Sequence, residues 1–126
     1  NNGLAVLKLI KENFVLSAHD ISSGGMLVAL AEMSMASKLG LKIYKPKKLI
    51  NSIEYFFGED QGRYLLEIDK TNLKKIESSL KKSNIFFEVI AEIQNDMFEI
   101  EKTFSIKVND LYNHNNKWYH GFNAVN

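Results

Sequence analysis

The spacing of apolar residues predicts the elements of the first third of the chain. Apolar side chains on one face of residues 4–12 indicate an amphipathic helix, and the run from Phe14 to Ala18 indicates a short buried strand. Between Gly24 and Leu39 nearly every residue is apolar, which predicts a central helix that is covered on most sides. We expect Gly40 to end this helix and the residues 41–44 to form the next strand.

Strand and helix patterns also alternate in the remainder of the chain. The alternation from Arg63 to Ile68 predicts a strand, and a lysine-rich surface helix follows it with Asp69 or Thr71 as its cap. One face of that helix carries the apolar residues Leu73, Ile76 and Leu80. The lysines in residues 45–48 are interpreted as a solvated sheet edge, whereas residues 49–57 show no clear pattern.

The last third is predicted to be mostly sheet. The residues 85–93 are apolar at both alternating sets of positions, which predicts a strand buried on both faces. After a turn at 94–96 come two shorter strands, 97–101 and 104–108, and a final helix begins near 109–112. Helices early in the chain with paired strands at its end indicate an α+β fold, in which helices pack on a mixed β-sheet.

Composition narrows the classes of function. The 126 residues are 45% hydrophobic and carry a formal net charge of +1, which indicates one globular domain over residues 1–126 and no electrostatic footprint for nucleic acid. The longest apolar run is too short to span a membrane, and the absence of cysteine excludes disulfides. A cytoplasmic location is therefore expected. The chain does not begin with methionine, so we expect a fragment of a longer protein.

The turn between the first strand and the central helix is the first candidate site. The segment 18–25 reads Ala-His-Asp-Ile-Ser-Ser-Gly-Gly, and glycines before a helix N-terminus let a phosphate approach free backbone N–H groups. The alternative is a buried helix with Ser22 or Ser23 as its N-cap and no ligand. Spacing alone favours the capped helix, because such turns are common wherever a helix follows a strand.

The second candidate site is the loop Phe-Gly-Glu-Asp-Gln-Gly-Arg-Tyr at 57–64. It holds the chain's single arginine, Arg63, although the other basic residues are all lysine. A planar guanidinium suits bidentate pairing with a carboxylate or a phosphate, and a buried Arg–Glu pair that only holds the loop is the alternative. Glu59 and Asp60 are adjacent acids that usually point apart, so we do not interpret them as a Mg²⁺ site.

The three histidines are weak candidates for chemistry. His114 and His120 lie in an asparagine-rich tail without a third ligand, and we interpret them as surface residues rather than as a zinc site. His19 stands at a strand end, where general bases occur, but a structural histidine bonded to backbone is the more common arrangement.

Together the two segments carry a family resemblance. The run from Ala18 to Met33 and the run from Phe57 to Leu65 resemble the last domain of the phosphoribosylformylglycinamidine synthases, in the aminoimidazole ribonucleotide synthase superfamily. Selenophosphate synthetase, thiamine monophosphate kinase and a hydrogenase maturation protein resemble the first run only. The Glu-x-Gln-Gly-Arg-Tyr segment is what points to the synthase, and the likeness in order of elements covers residues 4–112.

The resemblance implies a ligase of purine biosynthesis that is built from two similar halves. Such a synthase uses ATP, Mg²⁺ and ammonia from glutamine to convert formylglycinamide ribonucleotide into its amidine. Its partners would be the preceding domains of the same chain and a glutaminase subunit or domain, and a homodimer stays open. The isolated domain is expected to be inactive and to bind no cofactor tightly.

The resemblance also implies which residues contact ligand. In the first half of these enzymes the matching Glu-Ser-Gln stretch contacts substrate, with the Asp-to-Gly turn nearby. The nucleotide- or phosphate-binding residues expected here are Asp20, Ser22, Gly24, Gly25, Glu59, Asp60, Gln61 and Arg63, with no catalytic residue and no metal ligand. This chain resembles the second half, so its copy would line an auxiliary nucleotide site. Ser23 stands where Asp is usual and Asp60 where Ser is usual, which puts a phosphate contact in doubt because Asp60 repels anions.

Two other interpretations of the sequence stay open. The domain could be a structural and interaction module whose motifs touch no ligand, or it could come from another enzyme of the superfamily. Three or four charge-assisted hydrogen bonds, each worth about 1.5–3 kcal/mol, must offset an association cost of at least ~4 kcal/mol. We therefore expect nucleotide binding by this domain alone to be weak.

Overall fold

The computed structural model describes residues 1–46 and 51–123. Its elements in chain order are α1 (Asn2–Lys11), β1 (Val15–Asp20), α2 (Gly25–Ser37), β2 (Gly40–Ile43), α3 (Ser52–Phe57), β3 (Tyr64–Ile68), α4 (Leu73–Lys82), β4 (Ala91–Gln94), β5 (Met97–Ile100), β6 (Phe104–Lys107) and α5 (Val108–Asn123). The chain divides into two compact units, Asn1–Ala29 with Asn51–Val89 and Leu30–Ile50 with Ile90–Asn126. None of the helices in the described ranges has the length and apolar character needed to cross a membrane.

In the first unit, β1 and β3 form an antiparallel pair that packs with α1 and α4. The buried residues Leu9, Ile76 and Leu80 form the core of this unit. The alternating exposure of β1 arises because only one face of the pair is covered. A register shift between Val15 and Ser17 marks a bulge, and the side chain of Leu16 at that place is 65% exposed.

The two surface helices of this unit end in the same way. Asn13 after α1 and Asn84 after α4 adopt left-handed backbone conformations, with φ of 58° and 52°. In each case the next residue returns its N–H to the helix, from Phe14 to the Leu9 carbonyl and from Ile85 to the Leu80 carbonyl, each over 3.0 Å. This is a Schellman ending, and Phe14 and Ile85 pack against the core that it leads back to.

The second unit contains a four-stranded mixed sheet in the order β4-β2-β5-β6. β2 runs antiparallel to β4 and parallel to β5, and β5 and β6 form a hairpin. The register separates two faces: one carries apolar residues such as Ile43, Phe98 and Ile100, and the other carries Lys42 between Glu92 and Glu99. The sheet therefore buries one face, as its alternating sequence requires.

The expected α+β class with a mixed sheet is confirmed, although the strands form two sheets. The predicted helices at 4–12, at 24–39 and from 73 to near 83–84 are present with shifted ends, and so are the strands at 41–44, 63–68, 97–101 and 104–108. Residues 52–57, which had no clear pattern, form α3, and α5 begins at Val108. The lysine edge at 45–48 lies partly outside the described residues, at 47–48.

Three predictions about elements are wrong. The strand at 85–93 is restricted to Ala91–Gln94, and Phe86 is 89% exposed in an irregular segment, so a run of β-prone residues found no strand to pair with. β1 is half-exposed instead of buried and continues to Asp20. Gly40 does not end α2, because Lys38 takes the left-handed position at a φ of 59° and Gly40 begins β2.

Candidate functional site

An open concavity of about 350 Å³ lies in the first unit, between the two loops that the sequence singled out. The glycine turn and the end of β1 supply one side of it, and the loop before β3 supplies the other. Its lining residues are Asp20, Ile21, Ser22, Ser23, Glu59, Gln61, Gly62, Arg63 and Tyr64. The concavity is thus built from segments that are about forty residues apart in sequence.

Pairing of β1 with β3 brings these segments together. Asp20 at the end of β1 lies opposite Tyr64 at the start of β3 in the antiparallel register. The Ile21 N–H continues the pairing by donating to the Arg63 carbonyl over 3.0 Å. Where such a ladder ends, the chain leaving one strand and the chain entering the other must lie side by side, so both loops reach the same end of the pair.

Both glycines of the turn are required by the backbone. Gly24 and Gly25 have φ of 84° and 74°, which residues with a Cβ rarely adopt. At Gly25 the backbone of α3 also comes close, because a Cβ there would lie 2.5 Å from the Phe57 carbonyl carbon and 2.8 Å from the Phe56 oxygen. Gly25 therefore faces α3 and does not line the concavity.

The backbone N–H groups of this turn already have partners. The Gly24 N–H donates to the Glu59 Oε1 over 2.8 Å, and the Gly25 N–H donates to the Ser22 carbonyl over 3.1 Å. The expected N-cap at Ser22 or Ser23 is wrong, since Gly24 precedes the first helical residue and a carboxylate from a distant loop bonds its N–H. In a capping box a glutamate of the same helix makes this bond.

Arg63 holds the loop that contains it. Its Nη1 lies 3.4 Å from the Gly58 carbonyl and 3.4 Å from the Asp60 Oδ2, and its Nη2 lies 3.9 Å from the Met26 sulfur. The Asp60 side chain is 79% exposed, so this ion pair is screened by water. The guanidinium closes the loop as the sequence alternative proposed, but the expected buried Arg–Glu pair is wrong, because the partner is the exposed Asp60.

The structure brings five of the eight expected site residues to the concavity: Asp20, Ser22, Glu59, Gln61 and Arg63. Gly24, Gly25 and Asp60 lie next to it without lining it. Ile21, Gly62 and Tyr64 were not among the expected site residues, and Ser23 was named as an N-cap candidate and as a departure from the family pattern. All four lie within the segments 18–25 and 57–64, so their membership of these two segments was the available signal.

His19 is not among the lining residues of the concavity. The His19 Nδ1 lies 2.6 Å from the Asp20 carbonyl, which can only accept, so Nδ1 carries the proton and the ring is fixed to backbone. His114 is exposed and its Nδ1 lies 2.8 Å from the Asp110 carbonyl, whereas the side chain of His120 lies outside the described part. Within the described residues no group of three His, Cys, Asp or Glu is placed to hold a metal ion.

Comparison with known proteins gives consistent results. The model of the family described as "AIR synthase related protein, C-terminal domain" matches residues 3–101. The chain is 38% identical over 118 residues to the phosphoribosylformylglycinamidine synthase subunit PurL of Pelagibacter ubique (strain HTCC1062), a match that covers 94% of this chain and 16% of that relative. The chain therefore spans about one sixth of the length of this relative.

Solved structures share the fold. PurL of T. maritima in complex with ATP superposes with a TM-score of 0.74 at 21% identity, over 86% of this chain and 20% of that one. The structure of PurLQS from Thermotoga maritima gives a TM-score of 0.75 over the same fractions, also at 21% identity. At this level of identity the two structures establish similarity of fold. The ligands and partners in their names are properties of those proteins.

Proposed function

Because the chain belongs to the C-terminal domain family of the AIR synthase related proteins, we propose that it serves as the C-terminal domain of a phosphoribosylformylglycinamidine synthase, with residues 1–126 as one domain. The whole synthase would be a cytoplasmic ligase and amidotransferase of purine biosynthesis. It would form the amidine from formylglycinamide ribonucleotide, ammonia and ATP, and the amide oxygen would leave as phosphate. The match to PurL over 94% of the chain is the observation that carries this proposal.

Partners and cofactors follow from the same proposal. PurLQS of Thermotoga maritima supports a glutaminase subunit as a partner, and the ATP complex of PurL supports ATP as a cofactor of the whole enzyme. The remaining domains of the synthase would be partners in the same polypeptide. Mg²⁺ would be a further cofactor of the whole enzyme, and no Mg²⁺ contact is proposed for the carboxylates of this domain.

The concavity is proposed as the contribution of this domain to a nucleotide or phosphate site. The side chains of Ser22, Ser23 and Gln61 line it, make no hydrogen bond within the described part of the chain, and could bond an incoming group. Arg63 supplies the single positive charge among the lining residues. The family resemblance assigns Asp60 and the two glycines to this site as well, as neighbours that shape the loops.

A chimera tests the proposal. The 118-residue segment of the Pelagibacter ubique synthase that this chain matches is replaced by the chain, and amidine formation from ATP, ammonia and formylglycinamide ribonucleotide is measured. We expect activity in the chimera and none in a deletion of the segment. A folded chimera that is as inactive as the deletion would contradict the proposal. The 126 residues alone should give no turnover with the same substrates.

A structural role without ligand is the second candidate, because the two motifs are bonded to each other. Gly24 with Glu59 and Arg63 with Asp60 are pairs in which motif residues satisfy each other. Titration with ADP, followed by amide chemical shifts, separates the two functions. Ligand contact predicts shifts around the concavity that the Gln61→Ala variant weakens and the distant Ser78→Ala variant retains, whereas a structural role predicts no shifts.

A further inference from the structure

One donor of the glycine turn is within reach of a ligand. The Gly25 N–H is bonded to the backbone carbonyl of Ser22, which cannot leave without unfolding the turn. The Gly24 N–H is bonded to a side chain, and the Glu59 carboxylate that holds it is exposed and lines the concavity. A side chain on the surface can rotate away without unfolding the turn, so the Gly24 N–H is the donor of this pair that a ligand can take over.

The charges around the concavity make this exchange unfavourable for an anion. Two of the lining residues, Asp20 and Glu59, are carboxylates, and one, Arg63, is a cation. The guanidinium is not free, because Asp60 and the Gly58 carbonyl share its Nη1. A phosphate group would therefore compete with the Glu59 carboxylate for the donor and be repelled by it at the same time.

We propose that Glu59 determines the ligand specificity of the concavity, because its carboxylate accepts the hydrogen bond of the Gly24 N–H as an internal anion. A phosphate group then binds only after the Glu59 side chain has moved away. This inference rests on the proposed function, in which the concavity contacts a phosphate-bearing ligand. It gives Glu59 the opposite role to a direct ligand contact, since removal of a contact weakens binding and removal of a competitor strengthens it. The sign of the change in affinity separates these roles.

The test is a titration of the 126-residue chain with inorganic phosphate and, separately, with ADP, followed by the amide signal of Gly24. The variants are Glu59→Gln, Glu59→Ala and Glu77→Gln. Glu59→Gln keeps an oxygen that can accept from the Gly24 N–H and removes only the charge, so the turn retains its bond. Glu77→Gln makes the same change of charge on α4, away from the concavity, and is the matched control.

We expect Glu59→Ala, which removes both the charge and the bond to the Gly24 N–H, to bind phosphate and ADP about tenfold more tightly than the wild type, which corresponds to about 1.4 kcal/mol. Glu59→Gln removes only the repulsion, so it should bind more tightly than the wild type by about threefold. Glu77→Gln should bind as the wild type does. If the wild type binds and both Glu59 variants bind equally or more weakly, the proposed role of Glu59 is wrong and the proposed site stands. Absence of binding by the wild type and by every variant overturns both.

Discussion

Gly25 offers a direct measure of how closely the two motifs pack. Its φ of 74° is almost the same as the 76° of Gly62, but the two glycines differ in their surroundings. A Cβ at Gly62 meets nothing within 4 Å, whereas one at Gly25 would lie 2.5 Å from the Phe57 carbonyl carbon and 2.6 Å from the Phe57 Cα. The pair therefore separates the cost of backbone conformation from the cost of close approach.

The magnitudes follow from these two terms. A residue with a Cβ pays about 1–2 kcal/mol in the left-handed conformation, and this is the full cost expected for Gly62→Ala. Gly25→Ala has the same conformational cost and adds an overpacking cost of typically 1–3 kcal/mol, because the atoms that the new Cβ would meet belong to the backbone and cannot rotate aside. We expect losses of about 2–5 kcal/mol for Gly25→Ala and about 1–2 kcal/mol for Gly62→Ala.

Urea unfolding followed by far-UV circular dichroism measures both changes. The free energy of unfolding in water should fall further for Gly25→Ala, with the slope against urea unchanged in both variants. Equal losses for the two variants would refute the close approach of α2 to α3, and with it the explanation of this glycine by packing. A small loss for both would also refute the left-handed conformations.

Three further changes test other parts of the structure. Lys38 holds a left-handed conformation after α2, so Lys38→Gly should stabilise the protein by about 1 kcal/mol in the same unfolding assay, and a loss would contradict that conformation. Leu9 is 1% exposed in the core of the first unit, so Leu9→Ala should cost about 2–5 kcal/mol, and a cost below that of a surface change would place it elsewhere. Burial, followed by the Glu88 carboxylate, raises the pKa of Tyr55 to about 12 from 10.0. The stability that its protonated phenol gives is thus fully present below pH 10 and lost as the pH rises through 12, and Tyr55→Phe should remove this loss from the pH dependence of urea unfolding; the same dependence in the variant would contradict the shift.

The parts of the fold that sequence reasoning predicted correctly have a local cause. The helix at 73–80 follows from the spacing of Ile76 and Leu80, and the strand at 63–68 follows from alternation, because each pattern arises within one element. The strand expected at 85–93 depends on a partner strand elsewhere in the chain. β-branched and aromatic residues indicate only a tendency to form a strand. Without a partner strand, the segment around Phe86 stays irregular and its side chain is exposed.

The candidate site was predictable in its residues but not in its contacts. The glycine turn and the Arg63 loop could be identified from composition, yet nothing in their spacing indicates that β1 pairs with β3 and places them together. The bond between Gly24 and Glu59 spans 35 positions and depends wholly on that pairing. The same holds for the start of α2, where a nearby serine was the expected cap, but Gly24 precedes the helix and a distant glutamate makes the bond of a capping-box glutamate.

These contacts divide the residues of the two motifs into those with a structural role and those that only line the concavity. Gly24, Gly25 and Arg63 have the identities that backbone conformation, close packing and closure of the loop demand, so they would be needed whether or not a ligand binds. Gln61 and Ser23 line the concavity without any such structural duty. A related domain that binds a different ligand should therefore differ first at the side chains that only line the concavity, and it should keep the glycines. Evidence that Gln61→Ala alters stability as strongly as Gly25→Ala would contradict this division of roles.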